Sequence, residues 1–183
     1  SMSAKKVCIA IEKGIKKVDA SIKCIHVPMA DGREGTMQSL IDATNGEIYD
    51  LEVTGPLGNK INANFGILGD GEVGVLEMAS ASGIHLVPLD KRNPLVTTTY
   101  GTGELIKACL DKGVKKLLIG IGGSATNDGG IGMLKALGYQ FSDENGQDVG
   151  EGGQALERVS SIIIEKANPI LKECSFHIAC DVT

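Results

Sequence analysis

Residues 114–138, VKKLLIGIGGSATNDGGIGMLKALG, pass from an aliphatic strand through a glycine-rich loop into a helix, and that order narrows the folds open to the chain. Five glycines, a serine, a threonine, an asparagine and an aspartate fall within 118–130. A strand that runs through a tight loop into a helix is half of a βαβ unit, and such units build parallel sheets covered by helices.

The rest of the chain alternates in the same way. Val7, Ala10, Ile11, Ile15 and Val18 give a helical period over 3–18, and SIKCIHVP (21–28) reads as a short strand ending at Pro28. A second helix is predicted over 34–44, closed by Asn45-Gly46. EIYDLEVT (47–54), KINANFGIL (60–68) and EVGVLEMA (72–79) read as strands separated by GPLGN and GDG turns, the second turn making a hairpin. LVTTTY leads into a helix over GTGELIKACLDKG, VKKLLIGI is a strand, DGGIGMLKALG is a helix, and SFHIAC (175–180) is the last strand. The expected fold is α/β, with a largely parallel sheet and a hairpin section.

Composition removes several classes. The net charge is −5, no basic tract occurs, and aromatic residues are 3% of the chain, so there is neither an electrostatic nor a stacking platform for nucleic acid. No apolar run approaches the roughly 20 residues that span a bilayer. A soluble, cytoplasmic protein without a membrane partner is expected. The five cysteines stand at irregular intervals without metal-ligand spacing, which reads as reduced, mostly core thiols.

Three chemistries compete for the loop. Gly120-x-Gly122-x-x-Ala125 fits the dinucleotide fingerprint, but the acid expected some twenty residues on is represented only by Asp143, in a polar turn. Ser124 as a nucleophile lacks the elbow, because Thr126 stands where glycine is needed. A phosphate site needs backbone that can approach an anion, hydroxyl and amide donors, and the positive end of a helix. Gly122, Gly123, Ser124, Thr126 and Asn127 supply the first two, and the helix after Asp128 would supply the third. Asp128 itself reads either as the cap of that helix or as a ligand for a metal or substrate hydroxyl. The phosphate reading is favoured, because a purely structural turn needs one or two glycines.

IGIGGSATNDGGIGMLKALG closely resembles the signature segment of the bacterial glycerate kinases that phosphorylate D-glycerate with ATP. PMADGREGT (28–36), VTGPLGNKINANFGILGDG (53–71), EMASASGIHLVP (77–88), NPLVTTTYGTGELI (93–106) and ACDVT (179–183) resemble further segments of that family, in its order. Arg33 departs from the family's usual glycine. The family's first strand and roughly its second half have no counterpart here. The resemblance implies a two-domain architecture, a Rossmann- or flavodoxin-like parallel sheet with an inserted α/β domain containing hairpin strands, of which this chain is about the N-terminal half. Residues 1–46 would then belong to the split domain and 47–183 to the inserted one.

The implied reaction is phosphoryl transfer from ATP, with Mg²⁺, to a hydroxyl of D-glycerate, the 2-phospho product being favoured over the 3-phospho. Asp31, Asp128 and Asp181 are the candidate catalytic carboxylates, Asp31 and Asp181 first. Gly122, Gly123, Ser124, Thr126, Asn127, Gly32, Thr36, Thr99, Gly101 and Thr102 are the candidate nucleotide- or substrate-binding residues. Thr102 is a candidate helix cap whose helix start could receive the glycerate carboxylate. Two other classes stay open on the residues alone: a nicotinamide-dinucleotide oxidoreductase and a non-catalytic ligand-binding domain.

Overall fold

The computed structural model describes residues 4–26 and 35–180. Helices α1 (Ala4–Val18) and α2 (Thr36–Thr44) precede strands β1 (Glu47–Thr54), β2 (Lys60–Ile67) and β3 (Val73–Glu77). Next come α3 (Ala79–Ser82), α4 (Tyr100–Asp111), β4 (Lys116–Gly120) and α5 (Ile131–Ala136). Strands β5 (Gln140–Ser142), β6 (Ser161–Ile163) and β7 (Ser175–Ala179) complete the order.

Five strands form one sheet in the order β1-β2-β3-β4-β7. β1 and β2 pair antiparallel from Glu47↔Ile67 to Thr54↔Lys60, and β2 and β3 pair antiparallel through Gly66↔Val75. β4 lies parallel to both β3 and β7. The sheet thus joins the expected hairpin section, β1-β2-β3, to a parallel section, β3-β4-β7. β5 and β6 form a separate two-stranded ladder.

Period-2 alternation decides which residue faces which layer. Val75 joins Met37 and Ile41 of α2 on one face, with Leu118 packed beside them. Leu76 points the other way, into a cluster with Val53, Phe65, Leu105, Ile106, Leu117 and Ile119 beneath α4. Burying a Leu, Ile or Phe side chain of this kind stabilises the fold by about 1.5–3 kcal/mol. α2 thus packs on strands that follow the division expected at residue 46.

Three local expectations are corrected. Residues 22–26 form no strand; His26 instead meets Glu12 of α1 at 2.7 Å, and no strand runs beside them among the described residues. Residues 95–99 are not extended into a strand either: Leu95 donates to Asn93 Oδ1 at 3.0 Å, which turns the chain before α4. The helix expected from Asp128 starts only at Ile131, because Gly129 and Gly130 hold φ of 60° and 79°, in the left-handed region. Among the described residues no helix is long and apolar enough to cross a membrane.

Candidate functional site

In an open α/β sheet the ligand side is the carboxyl end of the parallel strands. Here that edge is formed by Glu77 of β3, the loop after Gly120 of β4, and Ala179 of β7, with Glu77↔Gly120↔Ala179 in register. Met78 N donates to Gly120 O at 2.8 Å, and Ile121 N donates to Ala179 O at 3.4 Å, so the glycine loop springs from a fixed base.

The loop then turns on a short bridge, with Ile84 N donating to Gly123 O and Ala125 N to Ser82 O. Gly123 has φ 73° and leaves the backbone open there. Among the described residues, the amides of Gly122, Gly123 and Ser124 have no hydrogen-bond acceptor. Ser124 Oγ accepts from Thr126 N at 3.0 Å and lies 2.9 Å from Thr126 Oγ1, so the two hydroxyls are pre-set beside those amides. Asn127 is exposed. These five predicted residues are brought together.

The start of α5 is different from expectation. The Asp128 carboxylate, 1% exposed, accepts from Gly130 N at 3.0 Å and Gly132 N at 3.2 Å. It also accepts from Thr99 N at 2.9 Å and from Thr99 Oγ1 at 3.0 Å. Ile131 N bonds to Asp128 O, and Met133 N to Thr99 Oγ1 at 2.9 Å. The amides at this helix start are thus already bonded within the protein, two to the Asp128 carboxylate, one to its carbonyl and one to the Thr99 hydroxyl. Asp128 is a cap and a clamp between two loops, its carboxylate engaged by four protein donors. A dinucleotide site fails for the same reason, since its pyrophosphate needs that helix start.

The stretch 97–103 is likewise a packing element. Thr99 spends its hydroxyl on Asp128 and Met133, and Thr97 Oγ1 donates to Ala125 O at 2.8 Å. Thr102 lies inside α4, not at its cap, and pairs with Ser82 Oγ at 2.8 Å in the core. A β-carbon on Gly101 would collide with the Thr54 carbonyl oxygen, and one on Gly103 with that of Met133. These glycines let α4 approach β1 and α5. The hydroxyls of Thr99 and Thr102 are thus engaged by protein groups, and both residues line the groove on the α4 side of the sheet.

Asp31, Gly32, Arg33 and Asp181 lie outside the described residues. Thr36, the first residue of α2, has a buried hydroxyl without a partner among the described residues. Next to it, Met37 N donates to Glu77 Oε1 at 3.0 Å. Sequence reasoning missed Glu77, although a carboxylate closing the buried run Gly74–Leu76 was a usable signal.

On the α4 side of the sheet a groove of about 590 Å³ runs from Ser124, Thr126 and Asn127 to an apolar floor that includes Ile119, Phe176 and Ile178. Phe176 and Ile178 are 42% and 55% exposed, so the edge strand β7 presents an uncovered apolar face. Among the described residues no group of three or more His, Cys, Asp or Glu is disposed to hold a metal ion.

The glycerate kinase family model matches residues 1–183. The chain is 54% identical over 182 residues to the glycerate kinase of Bacillus subtilis and 52% identical over 182 residues to that of Haemophilus influenzae, covering 100% of this chain and 48% of each relative. It is 51% identical over 183 residues to the glycerate 2-kinase of Escherichia coli, again 48% of that protein. A crystal structure from Salmonella typhimurium LT2, of a protein provisionally named glycerate kinase 2, superposes with a TM-score of 0.90 at 48% identity, covering 100% of this chain and 50% of that one. The chain spans about half the length of the curated relatives it matches. It belongs to the glycerate kinase family.

Proposed function

We propose that the chain is one half of a glycerate kinase, transferring the terminal phosphoryl group of ATP to the 2-hydroxyl of D-glycerate. The observation that carries this reading is the set of open amides at Gly122–Ser124, on the carboxyl edge of the parallel strands, in a chain of this family. Phosphoryl transfer asks a protein chiefly for positioning and for donors that meet the charge on the equatorial oxygens. Amides aimed from a rigid strand end, with the Ser124 and Thr126 hydroxyls beside them, suit that task. The name glycerate 2-kinase borne by the Escherichia coli relative favours the 2-phospho product.

In the reaction the hydroxyl oxygen of glycerate bonds to the γ-phosphorus as the bond to the ADP oxygen breaks. The hydroxyl proton passes to a carboxylate, for which Asp31 or Asp181 remains our choice. Asp181 follows the last residue of β7 by two positions in sequence. The described carboxylates do not fit a magnesium site, since Asp128 is saturated and Glu77 is bonded to α2. Mg²⁺ would therefore be held by the nucleotide phosphates with Asp31 or Asp181, and it would neutralise charge on the transferred group.

The uncovered face of β7 supports the two-part architecture. Phe176 and Ile178 lie on the face that α4 and α5 cover elsewhere, and we propose that the relatives' other half packs there. The division at residue 46 is kept as a proposal, with α2 reaching across it.

The test is coupled ADP release from the full-length protein with D-glycerate, L-glycerate and glycerol as acceptors. ADP release that depends on D-glycerate supports the reading. ATP hydrolysis indifferent to the acceptor contradicts it.

A further inference from the structure

We infer that Thr97 is a positioning residue of the transfer site, its hydroxyl holding the peptide plane that sets the Ser124–Thr126 hydroxyl pair at the groove. This deepens the kinase reading and rests on it.

Thr97 is 0% exposed and meets the glycine loop from 28 residues earlier in the chain. Asn93 turns the chain there, with Leu95 N donating to Asn93 Oδ1 at 3.0 Å and Thr97 N to Asn93 O at 3.3 Å. A buried β-branched side chain has little freedom about its first torsion, so the hydroxyl keeps one direction. It donates to Ala125 O at 2.8 Å, and Asn93 O lies farther off at 3.4 Å. Among the described residues no backbone amide donates to Ala125 O, so that carbonyl depends on the Thr97 hydroxyl.

The peptide unit between Ala125 and Thr126 is planar, and its C=O and N–H point to opposite sides. Thr97 holds the C=O. The N–H is that of Thr126, which donates to Ser124 Oγ at 3.0 Å. One plane thus joins the buried Thr97 hydroxyl to the Ser124 hydroxyl, and a tilt at one end is a tilt at the other. The preceding plane is fixed by backbone alone, since Ala125 N donates to Ser82 O at 2.9 Å. Thr97→Val therefore frees one plane of the loop and leaves its neighbour anchored.

Ser124 and Thr126 line the groove on the α4 side, and Thr97 lies outside that lining. Thr97 acts through the pair and touches no ligand. Ser124 Oγ is 2.9 Å from Thr126 Oγ1 and 3.2 Å from Thr126 O. With Ser124 donating across the pair, the Thr126 proton is left for an oxygen in the groove. On the kinase reading that oxygen belongs to the phosphoryl group.

The test compares Thr97→Val and Thr97→Ser in the full-length protein, with Thr97→Val also combined with Ser124→Ala. The readouts are steady-state kinetics and amide exchange at Thr126. Val matches the shape and loses the donor, whereas Ser keeps the donor. Misplacement by about 1 Å costs on the order of 10²-fold in rate, so Thr97→Val should lower kcat by roughly 10- to 10²-fold. KM for ATP and for D-glycerate should stay nearly unchanged, because the weakened contact is one made in the transition state. Thr126 exchange should accelerate. Thr97→Ser should return kcat to within several-fold and keep Thr126 protected. On the Ser124→Ala background, Thr97→Val should cost at most about threefold more, since coupled residues are not additive.

Unchanged kcat in Thr97→Val overturns the inference. So does a Ser variant as slow as Val, which would make methyl packing the cause. Fully additive losses in the double variant overturn it too, because Thr97 would then act by another route. If Thr97→Val does not fold, Thr97→Ser decides alone: kcat within several-fold of wild type supports the role, and a fall beyond about tenfold contradicts it. If the wild-type protein does not turn over glycerate, the kinase reading has failed, and Thr126 exchange still decides: equal protection in wild type and Thr97→Val sinks the role of Thr97.

Discussion

The carboxylate of Asp128 receives both the amide of Thr99, at 2.9 Å, and its hydroxyl, at 3.0 Å, from 29 residues earlier in the chain. This clamp ties the turn before α4 to the turn before α5, and it sits at 1% exposure. Hydrogen bonds to a charged group are each worth about 1.5–3 kcal/mol, and an orphaned buried donor costs about 1–3 kcal/mol. Asp128→Ala should therefore destabilise the fold by at least about 3 kcal/mol, read as a lowered midpoint in urea. Asp128→Asn should fall between, because its amide faces donors. A midpoint unchanged in both variants contradicts the clamp.

Ser124→Ala tests the loop without touching the clamp. The hydroxyl anchors Thr126 N but is only partly buried, so the stability change should stay within about 1.5 kcal/mol. Removal of one preorganised donor from a charge-stabilising site costs about 10²-fold in kcat. The two readouts, melting and turnover, should separate; a wild-type rate would remove Ser124 from the site.

Cysteine reactivity probes the core directly. Burial pushes the Cys109 thiol up to about 12, and the residue, on the sheet-facing side of α4, is 0% exposed. At pH 8 a thiol reagent should label the exposed Cys180 first and Cys109 only after unfolding. Native-state labelling of Cys109 at the rate of Cys180 would show that α4 does not cover the sheet as described.

Acid should loosen the contact between Asp148 and Lys135 of α5. Desolvation opposes ionisation of Asp148, but bonds from Lys135 and the Gly150 amide, with Arg158 nearby, hold its carboxyl below the usual carboxylate range. A depressed value means that the contribution is complete above the ordinary Asp value of about 3.9 and is lost as pH falls below it. The Asp148 side chain is 62% exposed, so screening limits the effect to about 0.2–1 kcal/mol. Asp148→Asn should flatten stability between roughly pH 4 and pH 2. An unaltered acid limb contradicts the pairing with Lys135.

Local pattern made most of the framework legible. Alternation in EIYDLEVT and KINANFGIL, closed by glycine turns, gave strands whose ends match β1 and β2 within a residue. What local pattern cannot show is which polar group satisfies which. The hydroxyls of Thr97–Thr102 look the same in sequence whether they meet a ligand or Ala125, Asp128 and Ser82. Asp128 reads in sequence both as a cap and as a metal ligand, and the long-range Thr99 amide that it accepts is visible only in the fold. Residues 22–26 alternate like a strand but lack a neighbour to pair with among the described residues. The gathering of Gly122, Gly123 and Ser124 at a strand edge was legible because glycine density of that kind has few structural uses.

Backbone amide resonances followed during titration with a non-hydrolysable ATP analogue test most directly where the phosphoryl group is held. The Gly122, Gly123 and Ser124 amides should move and saturate together, while Gly130, Gly132 and Met133, already bonded within the protein, should stay in place. Saturating shifts at Gly130–Met133 with Gly122 and Gly123 unmoved would contradict this account.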